Sequence, residues 1–177
     1  MYENLSGLPS VTQILRPWVD ADWFLPEHAE RGTAVHAACS AHINGAYVPP
    51  LRTDHQLYFD SFCKWAEVSI DTVVLSETRL LDKDIGFCGK PDAVITLKGS
   101  DKLVLAEWKT SQAHQKSWGP QTSAYAHLCA RSEQIIISRR ISVRLKSDGS
   151  GCLVTDYSGP TDWNLFLSAL NCFRFFA

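Results

Sequence analysis

The sequence predicts an α/β fold in which α-helices flank a central mixed β-sheet. Three observations predict it. Apolar residues recur at helical spacing up to about residue 68. The texture then changes to short apolar or alternating runs between Thr72 and Lys109. After those come one helical stretch, one hairpin pattern and a last helical stretch. The order is helices, a three-stranded meander, a helix, a hairpin and a helix.

Each element has its own signal. Ser10 with Gln13 is a capping box that opens a short helix, Val11 to Leu15, closed by Pro17 and Trp18. Pro26 suits the first turn of a second helix that reaches about Asn44 and stops at Gly45. Pro49 and Pro50 mark a turn. A third helix, about Asp54 to Val68, places Leu57, Tyr58, Phe62 and Trp65 or Ala66 inward. Strands are predicted at Thr72 to Leu81, Phe87 to Leu97 and Leu103 to Lys109, with turns at Asp82 to Gly86 and Gly99-Ser100. A helix from about Gln121 to Arg131 follows. A hairpin is then predicted, Gln134 to Leu145 and Cys152 to Tyr157. Pro160 and Thr161 open a final helix with Trp163, Phe166, Leu167, Leu170 and Phe173 inward.

Composition bounds the function classes. The 177 residues, 45% hydrophobic and 20% charged, suit one domain with a packed core, taken as residues 1–177. No stretch reaches the roughly 18 apolar residues of a membrane span. Residues 1–10 lack a signal-peptide pattern, so a cytoplasmic protein is expected. The six cysteines contain no CxxC pair, which argues for reduced thiols and against a zinc or iron–sulfur site. The net charge of −2 does not exclude a nucleic-acid partner, because acids gathered around a cation lose most of their repulsion.

The chemistry concentrates between Gly89-Lys90-Pro91-Asp92 and Glu107-Trp108-Lys109. With Gly99-Ser100 as a two-residue loop, Asp92 stands opposite Glu107, their Cβ atoms roughly 5 Å apart. Lys109 shares that face. Two carboxylates set opposite each other among apolar neighbours repel. A divalent cation between them removes that cost, and open oxygen sites suit Mg²⁺ or Mn²⁺. Lys109 can then orient or deprotonate a water, or neutralise developing charge.

These residues resemble the RecB-type branch of the PD-(D/E)xK nuclease superfamily. The resemblance runs from Pro9-Ser10-Val11-Thr12 to about Leu128. It rests on Gly89-Lys90-Pro91-Asp92, on Ala106-Glu107-Trp108-Lys109-Thr110-Ser111, on Gln121 with Tyr125, and on Arg31-Gly32-Thr33-Ala34-Val35-His36 upstream. It implies a restriction-endonuclease-like core and metal-dependent hydrolysis of DNA at its ends, in a phage or bacterial replication, recombination or repair setting. It further implies His36, Asp92, Glu107 and the Trp108 carbonyl as metal ligands, Lys109 as the catalytic lysine, and Gln121 and Tyr125 as residues that hold the site and touch substrate. Glu107 stands where the branch commonly has Asp, and Pro91 where it often has an apolar residue.

Other residues are weighed beside these. Glu77 would support a second metal or orient the ligands; its plain alternative is a surface pair with Arg79. Gly32, one turn before His36, leaves room for close backbone or substrate approach. Arg31, Lys116 and Lys90 offer phosphate contacts, and Arg139, Arg140, Arg144 and Lys146 a second basic patch or an edge-strand guard. Trp118 and Tyr125 are candidate stacking rings for unpaired bases. The apolar end at Phe173, Phe175 and Phe176 is a buried helix or an interface. Linear DNA, single- or double-stranded, is the expected partner, with a recombination or single-strand-binding protein beside it. Two other readings stay open: a structure- or sequence-selective endonuclease on the same core, and a non-catalytic DNA-binding module.

Overall fold

The computed structural model describes residues 7–19 and 26–176. The Ser10 hydroxyl accepts the Gln13 N–H and the Gln13 side chain accepts the Ser10 N–H, so the capping box forms as the sequence reads. It opens α1 (Val11–Leu15), and Pro17 sits in the 3₁₀ turn that follows, Arg16–Trp18. Helix α2 (Pro26–Ile43) ends before Gly45, whose positive φ of 65° suits glycine. Helix α3 (Thr53–Ser69) buries Tyr58, Phe59, Phe62 and Ala66. Leu57 was expected inward but is 39% exposed. At about 100° per residue it turns off the face centred on Tyr58 and Phe62, and Phe59 fills that place.

The central sheet is mixed and has five strands in the order β1-β4-β5-β6-β7. These are β1 (Ile70–Ser76), β4 (Ala93–Leu97), β5 (Leu103–Lys109), β6 (Arg139–Leu145) and β7 (Cys152–Asp156). Neighbours run antiparallel except β5 and β6, which are parallel and joined through α4 (Trp118–Glu133). Side chains alternate across β4 and β5. Ala93, Ile95, Val104, Ala106 and Trp108 enter one core with α2 and α3. Val94 and Leu105 enter the other, with α1, α4 and α5 (Asp162–Phe176). Helices thus cover both faces, an architecture compatible with a restriction-endonuclease-like core.

Three strands differ from expectation. Thr72 to Leu81 is not continuous: the chain leaves the sheet after Ser76, Glu77 takes a left-handed φ of 50°, and Leu80–Asp82 forms β2 of a separate two-stranded sheet. Phe87 to Leu97 is interrupted at 90–92, because Pro91 has no N–H for the ladder. Phe87–Gly89 becomes β3 and pairs with β2. Residues 134–138 are not strand; Gln134, with φ 57°, ends α4, and β6 starts at Arg139. Among the described residues no helix is long and apolar enough to cross a membrane.

Candidate active site

The site forms where β4 and β5 part. Their pairs are Ala93↔Ala106, Val94↔Leu105, Ile95↔Val104 and Thr96↔Leu103, the register read from the sequence. The turn itself differs: Ser100 N–H closes on Leu97 C=O, with Gly99 at φ 80° inside a longer loop. Asp92 stands one residue beyond the last pair, opposite Glu107 but off the ladder. Its carboxylate takes over the ladder's role there, since Asp92 Oδ2 accepts the Trp108 N–H at 2.7 Å. Asp92 N–H in turn donates to Glu107 Oε1 at 3.1 Å. A residue's N–H and C=O leave a strand on the same side, so the Trp108 carbonyl also points toward Asp92.

Helix α2 brings His36 to the same spot, with Nδ1 2.8 Å from Asp92 Oδ1. The chain just past β1 brings Glu77, whose backbone N–H donates to the Asp92 carbonyl at 3.1 Å. Ligand atoms of His36, Glu77 and Asp92 all lie within 4.8 Å of one another. Lys90 pairs with Glu77. The Ser40 and Ser76 hydroxyls, 3.0 Å apart, tie α2 to the end of β1 one turn past His36. From the sequence, Glu107 is expected as a ligand with Asp92 and His36, and Glu77 in a second-metal or supporting role. Here the Glu107 carboxylate accepts the Asp92 N–H and pairs with Lys109.

There a second chain of contacts begins. Lys109 Nζ donates to Glu107 Oε2 at 3.1 Å and to Gln121 Oε1 at 2.9 Å, and Gln121 Nε2 reaches the Tyr125 hydroxyl at 3.5 Å. Gln121 and Tyr125 are one turn apart on α4, so one helix face serves both. Tyr125 is only 4% exposed. Its ring fills the space a Cβ on Gly89 would need, 2.6 Å away, which explains the glycine of the Gly89-Lys90-Pro91-Asp92 segment. Tyr125 therefore packs beneath the site with little of its ring in solvent. At Gly32 a Cβ would meet, among the described residues, only Thr110 Oγ1, at 4.0 Å.

Burial and crowding set the charges. Burial pushes Glu107 up to about 7, with the Asp92 charge adding to it and Lys109 opposing. Burial alone would also raise Asp92, but the charge and hydrogen bond of His36 hold it below its ordinary value. Burial lowers His36, and the Asp92 carboxylate more than reverses this, leaving it raised. Burial raises Glu77, with Asp92 adding to it against Lys90. Three acids thus crowd one poorly solvated spot.

The donor set fits a divalent cation. An octahedral ion with bonds of about 2.1 Å sets adjacent donors roughly 3 Å apart and opposite donors roughly 4.2 Å apart. The His36–Asp92 contact, itself a hydrogen bond, has the first spacing, and the ligand atoms of His36, Glu77 and Asp92 lie within 4.8 Å of one another. Two carboxylates with one imidazole and no thiolate suit Mn²⁺, and Mg²⁺ after it.

A cleft of 240 Å³ opens beside this cluster, lined among others by His28, Arg31, His36, Lys109, Gln115 and Trp118. Arg31 lies over the Tyr58 ring at 5.0 Å and donates to Thr110 C=O at 3.4 Å. Its Nε is buried with no partner among the described residues. Lys116 is exposed in the loop before α4, beside the cleft but not in its lining. Trp118 is 4% exposed, with its ring 5.7 Å from Lys109 Nζ.

No protein-family model matches the chain, and no curated protein does. One end of the sheet gathers His36, Glu77 and Asp92, three residues that could hold a cation. A lysine held by a carboxylate and an amide stands beside them, and a cleft with an arginine opens next to both. That arrangement can grip a phosphate and deliver a water to it.

Proposed function

We propose that the chain is a Mg²⁺- or Mn²⁺-dependent deoxyribonuclease of the RecB-type PD-(D/E)xK branch, an exonuclease that hydrolyses phosphodiester bonds at DNA ends. The observation that carries this reading is the meeting of His36, Glu77 and Asp92 with the Glu107–Lys109–Gln121 chain where β4 and β5 part. A bound cation supplies Lewis acidity toward a phosphoryl oxygen and toward water. His36, Asp92 and Glu77 would hold it, with the Trp108 carbonyl facing the same side. Glu107 and Gln121 hold Lys109 Nζ in place beside them, where it directs the attacking water and offsets negative charge growing on the phosphorus oxygens. Arg31, in the cleft, holds the phosphate backbone without reading bases. The attacking water loses a proton as its oxygen bonds to phosphorus, the bond to the leaving sugar oxygen breaks, and that oxygen takes up a proton from water, so one water is consumed for each bond cut.

The choice of DNA ends rests on the helical histidine motif. The six free thiols support a reducing, cytoplasmic setting; the replication, recombination or repair role follows from the same resemblance to the RecB-type branch. End-labelled linear single- and double-stranded DNA, incubated beside covalently closed circles with and without Mg²⁺ or Mn²⁺, tests the proposal. Linear strands should be shortened only when metal is added, and circles should survive. Cut circles would move the enzyme to the endonuclease class. No cleavage with either metal would leave a binding module.

A further inference from the structure

The sequence pointed to Trp118 and Tyr125 as stacking rings, yet each is only 4% exposed. A ring that does lie in solvent beside Trp118 is His114, in the loop between β5 and α4. It stands edge-on to Trp118, with centroids 5.1 Å apart, and lies stacked on Tyr157 at 6.0 Å and 20°. Its Nε2 is 3.1 Å from the Tyr157 hydroxyl, which in turn meets Ser142 Oγ at 2.9 Å. The loop is fastened on the N-terminal side of His114: Ser111 Oγ donates to Ala113 C=O at 2.6 Å, Gln112 Nε2 to the Tyr58 hydroxyl at 3.0 Å, and Arg144 Nη1 to Gln112 C=O at 3.0 Å. An exposed ring held this firmly loses little freedom when it binds something flat.

We propose that the His114 ring, stacked on Tyr157, is a base-stacking site for an unpaired DNA strand entering or leaving the cleft. The proposal rests on the nuclease reading and names the form of its substrate: a single strand at the rim. Two features favour that occupant. The rings continue the cleft outward, since Lys109 Nζ lies 5.7 Å from Trp118 and Trp118 touches His114. The surroundings are also basic, with Lys116 two residues on and Arg144 acting on Tyr157. The nearby Asp162 is paired with Arg140 at 2.9 Å. Aromatic faces beside backbone-neutralising cations are the general means of holding unpaired strands.

The test is binding measured by fluorescence anisotropy in EDTA, where nothing is cut. The probes are a labelled oligo-dT, the same strand with abasic sites, an oligo-U and a blunt duplex. His114→Ala should weaken oligo-dT binding roughly 5- to 100-fold, and leave the abasic strand and the duplex within twofold. His114→Phe should restore oligo-dT binding. The proposal is overturned by unchanged oligo-dT binding in His114→Ala, by an equal loss on the abasic strand and duplex, or by failure of the Phe variant to restore binding. Tighter binding of oligo-U than oligo-dT overturns the assignment to DNA. Because no metal is present, these results stand apart from the cleavage assay. A protein that stacks oligo-dT but never cuts loses the nuclease reading alone.

Discussion

At the scale of single residues, the two arms of the site separate experimentally. Lys109 contacts Glu107 and Gln121, while the cation cluster is built from His36, Glu77 and Asp92. Lys109→Ala should therefore lower the cleavage rate by about 10²- to 10⁴-fold, the range of a positioned proton-handling group. It should leave Mn²⁺ affinity, read by calorimetry, nearly unchanged. Glu77→Gln should do the opposite first: Mn²⁺ affinity should fall roughly 10- to 100-fold, and added Mn²⁺ should recover part of the rate. Equal Mn²⁺ affinity in Glu77→Gln and wild type would remove Glu77 from the ligand set. Glu107 was legible in the sequence as a partner of Asp92, because pairing across a hairpin is simple arithmetic. Its orientation was not. Asp92 leaves the ladder to bond Trp108 N–H, and that turn of one side chain decides which acids meet.

At the scale of elements, most helices were legible because caps and breakers are local. The Ser10–Gln13 box and Gly45 act through neighbouring residues alone. The strand breaks were harder to see. Nothing local in Thr72 to Leu81 signals that Glu77 takes a left-handed φ; that conformation is held from outside, by the Asp92 carbonyl. The small β2–β3 sheet created by the breaks has an anchor of its own in Asp82. Its carboxylate accepts the N–H groups of Asp84 and Ile85, each at 2.9 Å, and lies 2.7 Å from His127 Nε2. Burial would raise the Asp82 pKa, but these hydrogen bonds hold it below the ordinary value. A carboxyl depressed on folding adds stability that is present above about pH 4, the unfolded value, and is lost as pH falls through the folded value. Asp82→Asn should cost about 1–3 kcal/mol at neutral pH. Urea unfolding should show that difference shrinking as pH drops below about 4. A gap between variant and wild type that stays constant down to pH 3 would show that the carboxylate charge contributes nothing.

At the scale of the whole molecule, the site is a joint between layers. His36 comes from α2 and Glu77 from the residue just past β1, on the side of the α2–α3 core. Asp92 sits at the head of β4, and Lys109 reaches over to Gln121 on α4, against the other core. Crowding Glu77, Asp92 and Glu107 together opposes this assembly, since burial raises both Glu77 and Glu107. A cation held by His36, Glu77 and Asp92, as proposed, would need α2, β1 and β4 in register, so it should stabilise the global fold and not one loop. At a hundredfold excess over its dissociation constant the gain is about 2.7 kcal/mol. For a chain of this length that raises Tm by roughly 5–10 °C. Thermal melts with Mn²⁺ should show the rise and Asp92→Asn should abolish it. His114→Ala, outside the joint, should keep it. A wild-type Tm indifferent to Mn²⁺ would mean that no ion draws these elements together, and the acids would then have to be explained by their contacts with Lys90, Lys109 and His36 alone.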